Sequence, residues 1–437
     1  CALQTGRHAV HVNVQNVVPE VLNSRDPIGG YQGIPINMTG IASHLRRAGY
    51  RTHLVGKWDA GMATAHHHPR ARGYDSWLGY WHHSNDYWAQ TEEKCAGHAV
   101  HDLWAFNATH DGPAAHFANG PSCGQDNQSP AGEPCVFEEL ILRDEVVRLI
   151  EAHDAAHPLF LMYSMHLVHM PLQAPQRYID RFQFIDDPHR RLNHAMGLLL
   201  DDSVSEVVQA LRRTQLWEST LLVFHSDNGG EIMGAGICGG NNFPLTGGKF
   251  SNFEGGIRVN AFVAGGAVPA SRRGSKEPGF IYISDWYATY TALAGIDADD
   301  PAAAAAGLPP PDSHNVWPLL SGANSTSPRE EIVVGDTSAL LPNGDGRTLV
   351  GGLIRGRYKL LVGAEDKLRT IDQYVQTGPS WPNRSSHLVP LTHWKLCGRT
   401  PRDGCLFDIF SDPTERTSLA EAQPTLFHDM LARIDEL

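Results

Sequence analysis

Apolar positions follow two different spacings along the first 300 residues of the chain. Apolar residues at helical spacing predict amphipathic helices at Ile41–Ala48, Phe137–His153 and Ala195–Arg213. Arg51–Val55 predicts a short strand, and the mostly apolar runs at Pro158–Met165 and Thr220–His225 predict buried strands. Ile281–Ala294 predicts a strand edge followed by a helix. Because buried strands alternate with helices, the pattern predicts an α/β fold with a mostly parallel sheet between helices.

The pattern changes near residue 297. Asp297–Asp312 has low complexity and predicts a surface loop or linker. The remaining chain predicts a strand pair in Leu349–Val362, a strand at Leu406–Phe410 and a closing helix at Pro424–Leu437. We therefore expect a large domain over residues 1–344 and a small C-terminal domain over 345–437, with an antiparallel sheet and a helix.

Length and charge narrow the class of protein. The chain has 437 residues, enough for more than one domain, and a formal net charge of -13. This acidic balance argues against a nucleic-acid partner, which needs a basic face. No run of about 18 apolar residues predicts a membrane span. The sequence leaves the oligomeric state open.

Cysteines and glycosylation sequons favour an oxidising compartment. None of the seven cysteines forms a C-x-x-C pair, which argues against a thiolate zinc site. Cys397 with Cys405 is one candidate disulfide, and Cys95 with Cys123 or Cys135 is another; free buried thiols are the alternative. Candidate glycosylation sites are Asn37, Asn107, Asn127, Asn324 and Asn383. We expect the secretory pathway, with a lysosomal or extracellular destination.

A candidate metal site follows the strand predicted at 220–225. Asp227 and Asn228 come directly after it and precede two glycines. Ligands bind beyond the C-terminal ends of parallel strands, and carboxylate and amide oxygens suit hard cations such as Ca²⁺. A plain turn is the alternative, because Asp, Asn and Gly are common turn residues.

Three further segments carry candidate anion-binding groups. Lys57 follows a glycine at a strand end, Lys249 follows a glycine pair, and His166 and His169 follow another predicted strand. Such groups can neutralise an anionic ester or protonate its leaving group. The alternatives are exposed lysines, and one histidine in the core with the other at the surface.

The motifs together resemble the type I sulfatases. The matching segments are G-Y-R-T-H-L-V-G-K-W at 49–58, H-M-P-L-Q at 169–173, S-D-N-G-G at 226–230, K-F-S-N-F-E-G-G-I-R at 249–258 and L-F-D-I-F-S-D-P-T-E at 406–415. They occur in family order over nearly the whole chain. R-G-Y-D at 72–75 and G-G-N-N-F-P-L at 239–245 are most similar to the arylsulfatase B-like branch. The resemblance implies an alkaline-phosphatase-like large domain.

The resemblance also implies a nucleophile upstream of this chain. Thr5-Gly6-Arg7 match the end of the family signature C-x-P-S-R-x-x-x-x-T-G-R, which places its cysteine five positions before Cys1. In the family that cysteine becomes formylglycine, whose hydrate attacks sulfur while one Ca²⁺ polarises the sulfate oxygens. We therefore expect the printed chain alone to be inactive, and its Cys1 not to be the nucleophile.

Residue roles follow from the same resemblance. It assigns Asp227 and Asn228 to Ca²⁺, Lys57 and Lys249 to the sulfate oxygens, and His169 to the sulfate and the leaving group. Asp59 departs from the family, which usually has His two residues after the signature lysine. A carboxylate there repels sulfate unless it is protonated or paired.

The implied function is hydrolysis of a sulfate ester. Aryl sulfates, hexosamine sulfates and polysaccharide sulfates remain open as substrates. One alternative is a phosphate or phosphonate ester hydrolase of the same superfamily, with Thr or Ser as nucleophile. Another is an inactive relative that binds sulfated glycans, which only Asp59 favours.

Overall fold

The computed structural model describes residues 1–12, 33–95, 98–114, 135–232, 236–336, 351–363, 377–382 and 397–436. The chain divides into two compact units. The first unit consists of Cys1–Arg181, His194–Leu221 and Ala264–Pro328, and the second of Phe182–Asn193, Leu222–Val263 and Arg329–Leu437. The division predicted at residues 344 and 345 stays a prediction.

A mixed five-stranded sheet forms the centre of the first unit. The strands in chain order are β1 (Arg51–Gly56), β2 (Ser76–Gly79), β3 (Thr91–Cys95), β4 (His98–His101), β5 (Trp104–Phe106), β6 (Asp111–Pro113) and β7 (Leu159–Ser164). The sheet has the order β6-β5-β2-β1-β7, while β3 and β4 form a separate hairpin. Strand β1 pairs in parallel with β2 and β7, whereas β5 and β6 are antiparallel additions. The predicted α/β class is confirmed.

The helices that the apolar spacing predicts at 41–48, 137–153 and 195–213 are present in the structure. The α-helices are α1 (Ala2–Thr5), α2 (Ile41–Arg47), α3 (Glu138–Glu151), α4 (Gln176–Ile179), α5 (Pro188–Arg213), α6 (Glu254–Ile257), α7 (Asp285–Leu293), α8 (Pro301–Ala305), α9 (Trp317–Ser321) and α10 (Pro424–Glu436). Short 3-10 turns lie at Ala9–Val12, Ala65–His67, Asp180–Phe182, Trp217–Ser219 and Ala270–Arg272. Helices α2 and α3 contact β1, and each buries apolar side chains.

Two sequence predictions between residues 281 and 312 are wrong. Residues 281–284 join no strand, because the Tyr282 amide donates to Asp285 Oδ2 at 2.7 Å and so forms the turn that starts α7. The predicted loop at 297–312 contains helix α8, which Asp300 caps by accepting from the Ala303 amide. Asp300 also pairs with the buried Arg7 at 3.0 Å, so this segment is tied to the first unit's core and is not a free linker.

An antiparallel sheet with a closing helix forms part of the second unit. After β8 (Leu222–His225) and β9 (Ala261–Ala264), which pair together, come β10 (Glu331–Asp336), β11 (Gly351–Arg355), β12 (Tyr358–Val362) and β13 (Cys405–Asp408). The last four pair antiparallel in sequence order. Apolar residues of β11, β12, β13 and α10 form one core: Leu353, Leu360, Val362, Leu406, Phe427 and Met430. The small antiparallel sheet with a helix is confirmed.

The covalent and surface features agree in part with the sequence. Cys397 and Cys405 form a disulfide, as predicted. Cys135 is also disulfide-bonded, but Cys123 and the Cys95 side chain lie outside the described residues. Asn37, Asn107 and Asn324 are exposed, whereas Asn127 and Asn383 lie outside the described residues. No helix in the described ranges is long and apolar enough to cross a membrane.

Candidate active site

The register of two parallel strands places Lys57 at one edge of the first unit's sheet. Gly56 of β1 pairs with Ser164 of β7, and the Lys57 amide then donates to the Ser164 carbonyl at 2.9 Å. Gly56 has φ +94°, and a Cβ added there would lie 2.0 Å from the Ser164 oxygen. Glycine therefore allows the close approach of the two strand ends. The segment that carries His166 and His169 begins at this same edge.

Lys57 forms an ion pair with Asp59. Lys57 Nζ lies 3.2 Å from Asp59 Oδ2, and about a quarter of each side chain is exposed. The Asp59 amide donates to the Trp81 carbonyl, and φ of Asp59 is +45°, so its backbone is held in a turn. Burial raises the pKa of Asp59, and Lys57 opposes that rise. Pairing with Lys57, which the sequence analysis gave as one way to offset the charge of Asp59, is present in the structure.

His169 sits at the end of a tight turn. Its amide donates to the His166 carbonyl at 3.0 Å, and Tyr87 Oη donates to the carbonyls of both histidines at 2.9 and 3.1 Å. His169 Nδ1 lies 2.8 Å from the Met170 carbonyl, so Nδ1 carries a hydrogen in this contact. His169 is partly exposed and His166 is buried. The structure thus agrees with one core histidine and one at the surface.

Cys1 lies near the same ion pair. Cys1 packs against the apolar cluster that contains Trp58 and Ala60, the two neighbours of Asp59 in the chain. Helix α1 follows Cys1 directly and ends at Gly6, whose φ is +68°. The segment that resembles the end of the nucleophile signature is therefore close to Lys57 and Asp59.

The predicted metal ligands follow strand β8 in the second unit. Asp227 is exposed and Asn228 is half-buried. Asn228 Nδ2 donates to the Gly229 carbonyl at 2.9 Å, and Ser226 Oγ donates to the Asn228 carbonyl. Within the described ranges, no hydrogen-bond donor contacts the Asp227 carboxylate or Asn228 Oδ1. Carboxylate and amide oxygens are hard donors of the kind that Ca²⁺ prefers.

Backbone packing explains the glycines that surround these ligands. A Cβ on Gly229 would lie 1.7 Å from the Gly255 carbonyl, and one on Gly248 would lie 2.4 Å from the Gly230 carbonyl. Asn242 joins the segments, because its Oδ1 accepts from the Gly230 amide and its Nδ2 donates to the Gly230 and Gly247 carbonyls. The S-D-N-G-G segment and the segment around Lys249 are therefore held together.

Lys249 has an acidic neighbour that sequence reasoning missed. Lys249 Nζ lies 3.8 Å from Glu231 Oε2 and 5.2 Å from the Phe250 ring centroid. Glu231 also accepts a hydrogen bond from Cys238, and burial together with Glu231 raises the pKa of that thiol to about 12. Glu231 directly follows the S-D-N-G-G segment, and this position beside a predicted metal site could have identified it from the sequence. Both signature lysines thus have a carboxylate partner.

Two other family motifs meet at a buried lysine. Lys359 Nζ of β12 lies 3.0 Å from Glu254 Oε1 and 2.7 Å from Glu415 Oε1. Glu415 Oε2 also accepts from the Glu254 amide at 2.6 Å, and all three side chains are buried. Glu254 belongs to E-G-G and Glu415 to D-P-T-E, so these motif positions are structural. Sequence analysis did not identify Lys359, because its partners are about 105 and 56 residues away.

No group of three or more His, Cys, Asp and Glu side chains that could hold a metal occurs in the described parts of the chain. Asp227 and Asn228 are the two residues that the sequence analysis expects to bind a metal. Their donor chemistry fits Ca²⁺ and gives no soft ligand for zinc.

Comparisons with known proteins agree with the motifs. A family model described as Sulfatase matches residues 2–296. Mouse arylsulfatase J is 27% identical over 99% of this chain and 66% of its own length. Human N-acetylgalactosamine-6-sulfatase is 26% identical over 68% of this chain and 52% of its own length. The chain therefore spans between half and two thirds of these relatives.

A solved structure shares the fold over the whole chain. The crystal structure of Ps i-CgsB in complex with k-i-k-neocarrahexaose has a TM-score of 0.70 and 24% sequence identity, and the match covers 100% of this chain and 80% of that one. The family model matches well over half of the residues, and the motifs occur in family order. This chain therefore belongs to the sulfatase family.

Proposed function

We propose that the full-length protein hydrolyses sulfate esters. The observation that carries the proposal is the placement of Lys57 at the end of β1, with the turn that bears His169 beginning at the end of the paired strand β7. A fixed cation and an imidazole at one sheet edge suit an anionic ester whose leaving oxygen needs a proton.

Each residue then has one task. Lys57 and Lys249 bind sulfate oxygens through their ammonium groups. His169 has Nδ1 on the Met170 carbonyl, so its Nε2 is the atom that gives a proton to the ester oxygen as the S–O bond breaks. The electron pair of that bond stays on the oxygen, which leaves as an alcohol or phenol. Asp227 and Asn228 would hold Ca²⁺, which supplies charge that polarises the sulfate. A formylglycine upstream of this chain would supply the oxygen that bonds to sulfur as the ester S–O bond breaks.

A substrate class follows from the relatives. One similar protein is named for N-acetylgalactosamine-6-sulfate and one structural neighbour holds a neocarrahexaose. We propose a sulfated glycan as the substrate class. The exposed sequons at Asn37, Asn107 and Asn324 support passage through the secretory pathway, to a lysosomal or extracellular site.

The test compares the full-length protein with the 437-residue chain on 4-nitrophenyl sulfate and on a set of hexosamine sulfates. We expect turnover by the full-length protein and none by the shorter chain, which lacks the proposed nucleophile. Lys57→Ala and Lys249→Ala in the full-length protein should each lower kcat/KM by roughly a hundredfold or more. Lys276→Ala, at an exposed lysine, is the matched control.

Three results would contradict this proposal. Turnover by the 437-residue chain would show that no upstream nucleophile is needed. A Thr or Ser at the upstream position, with turnover of phosphate esters, would support the phosphoryl-transfer alternative. Binding of sulfated glycans without turnover of any ester would support an inactive relative.

A further inference from the structure

Two adjacent buried glutamates hold the turn that carries His166 and His169. They open helix α3, and neither side chain is exposed. Glu139 Oε2 accepts from the His166 amide at 3.0 Å, whereas Glu138 Oε1 lies 3.0 Å from His166 Nδ1. Because burying a carboxylate without partners is costly, these contacts fix both the backbone and the ring of His166.

The His166 ring is fixed from other directions as well. Asn85 Nδ2 donates to Glu138 Oε2 at 2.7 Å, so both oxygens of Glu138 have a partner. The Tyr87 ring stacks on the His166 ring with centroids 3.8 Å apart, and Tyr80 lies at 4.8 Å. The turn from His166 to His169 therefore has little freedom, and its geometry determines where the His169 ring lies.

The protonation of Glu138 and His166 affects the neighbouring His169. Burial raises the pKa of Glu138 well above its usual value, and burial, followed by His169 and Lys57, lowers the pKa of His166. Both directions favour a pair without net charge. If Glu138 holds the shared proton, the neutral His166 ring has its hydrogen on Nε2. If His166 holds it, both ring nitrogens carry a hydrogen. In either case His166 Nε2 cannot accept a proton.

A charged ring at this place would interfere with acid catalysis. The His166 and His169 ring centroids are 6.2 Å apart, and Lys57 starts from the adjacent strand end. A further positive charge there would make it harder for His169 to hold a proton. Because Glu138 and His166 together carry no net charge, the pair adds no such positive charge beside His169.

We propose that Glu138 and His166 form a positioning pair for His169, which fixes the turn that bears it and leaves His169 as the imidazole that protonates the leaving oxygen. The proposal rests on the proposed sulfate ester hydrolysis. Neither residue of the pair touches the substrate, because both are buried in the first unit.

The test uses two esters that differ in how much the leaving oxygen needs a proton. 4-Nitrophenol leaves readily as an anion, whereas the alkoxide of a hexosamine 6-sulfate does not. In the full-length protein, His166→Leu should lower kcat for the hexosamine 6-sulfate at least roughly tenfold more than kcat for 4-nitrophenyl sulfate, with KM little changed. His166→Asn keeps a donor near Glu138 and should restore part of the loss.

Controls separate this role from folding. His314→Leu removes an exposed histidine of the same unit and should change neither kcat. If His166→Leu does not fold, His166→Phe, which keeps a ring against Tyr87 but cannot bond to Glu138, should give the same substrate-dependent loss. Equal losses on both esters, or none, would overturn the positioning role. A wild-type protein that hydrolyses neither ester would instead refute the proposed function.

Discussion

Lys57 Nζ and Asp59 Oδ2 are 3.2 Å apart, so the signature lysine of this sulfatase family member is paired with a carboxylate of its own segment. Most of each side chain is buried, so water screens the pair only in part. A sulfate oxygen that binds Lys57 must compete with Asp59. The pair therefore predicts a weaker grip on sulfate than an unpaired lysine would give.

Replacing Asp59 with His should increase activity. Asp59→His removes the competing charge and adds a donor where the family usually has one. We expect kcat/KM for a sulfate ester in the full-length protein to rise by roughly tenfold or more, or about 1.4 kcal/mol of transition-state stabilisation. Steady-state kinetics on 4-nitrophenyl sulfate measures it.

Asp59→Asn is the matched variant, because it removes the charge without adding an imidazole. A smaller increase in Asp59→Asn than in Asp59→His would separate the two contributions. If kcat/KM falls in both variants, Asp59 takes part in a rearranged site and the competition argument is wrong.

Calcium should stabilise the second unit through Asp227 and Asn228. Carboxylate and amide oxygens are hard donors, so Ca²⁺ that these two residues bind only in the folded state should raise Tm. For the full-length protein we expect a clear rise in Tm between excess EDTA and millimolar Ca²⁺, measured by scanning calorimetry. Asp227→Ala should remove most of that difference.

Asp299→Ala provides a control at an acidic residue outside the proposed ligand set. Its Ca²⁺-dependent rise in Tm should match that of the wild-type protein. An unchanged Ca²⁺ effect in Asp227→Ala would exclude Asp227 as a ligand.

Sequence patterns predicted the strand ends better than the contacts made there. Lys57 and the His169 turn follow apolar strands, and the parallel register of β1 and β7 joins those ends. The pairing of Lys57 with Asp59 depends on a turn held by the Trp81 carbonyl, about 22 residues away, and local patterns carry no information on it. For the same reason helix α8 was missed: its cap, Asp300, is fixed by Arg7 from the other end of the unit.

Lys359 should be essential for the stability of the second unit. Its ammonium is the cation between two buried carboxylates, and Lys359→Met would leave Glu254 and Glu415 close together without it. Breaking a buried pair in this way costs about 3–5 kcal/mol. Thermal unfolding should show a Tm lower by roughly 10 °C, while Lys276→Met, at an exposed position, should leave Tm unchanged. A decrease of under about 3 °C in Lys359→Met would contradict the prediction.

Glu415 should make the protein more stable at acidic than at neutral pH. Burial raises the pKa of Glu415 from its ordinary 4.5 to about 7, and Lys359 only partly offsets this. Between these two values the folded state keeps the proton and the unfolded state loses it. The contribution of the protonated carboxyl is therefore complete below pH 4.5 and is lost as the pH rises through 7, up to about 3 kcal/mol in total.

Glu415→Gln tests this because an amide of the same size stays neutral at every pH. It can still accept a hydrogen bond from the Glu254 amide, where the wild-type distance is 2.6 Å. Relative to wild type, the variant should gain stability from pH 5 to about pH 7 and then level off towards pH 8, as measured by Tm or by urea unfolding. The exposed Glu421→Gln should give a curve parallel to that of the wild type. If Glu415→Gln is also parallel, the carboxyl is ionised in the folded state throughout, and Lys359 neutralises it more fully than its burial opposes.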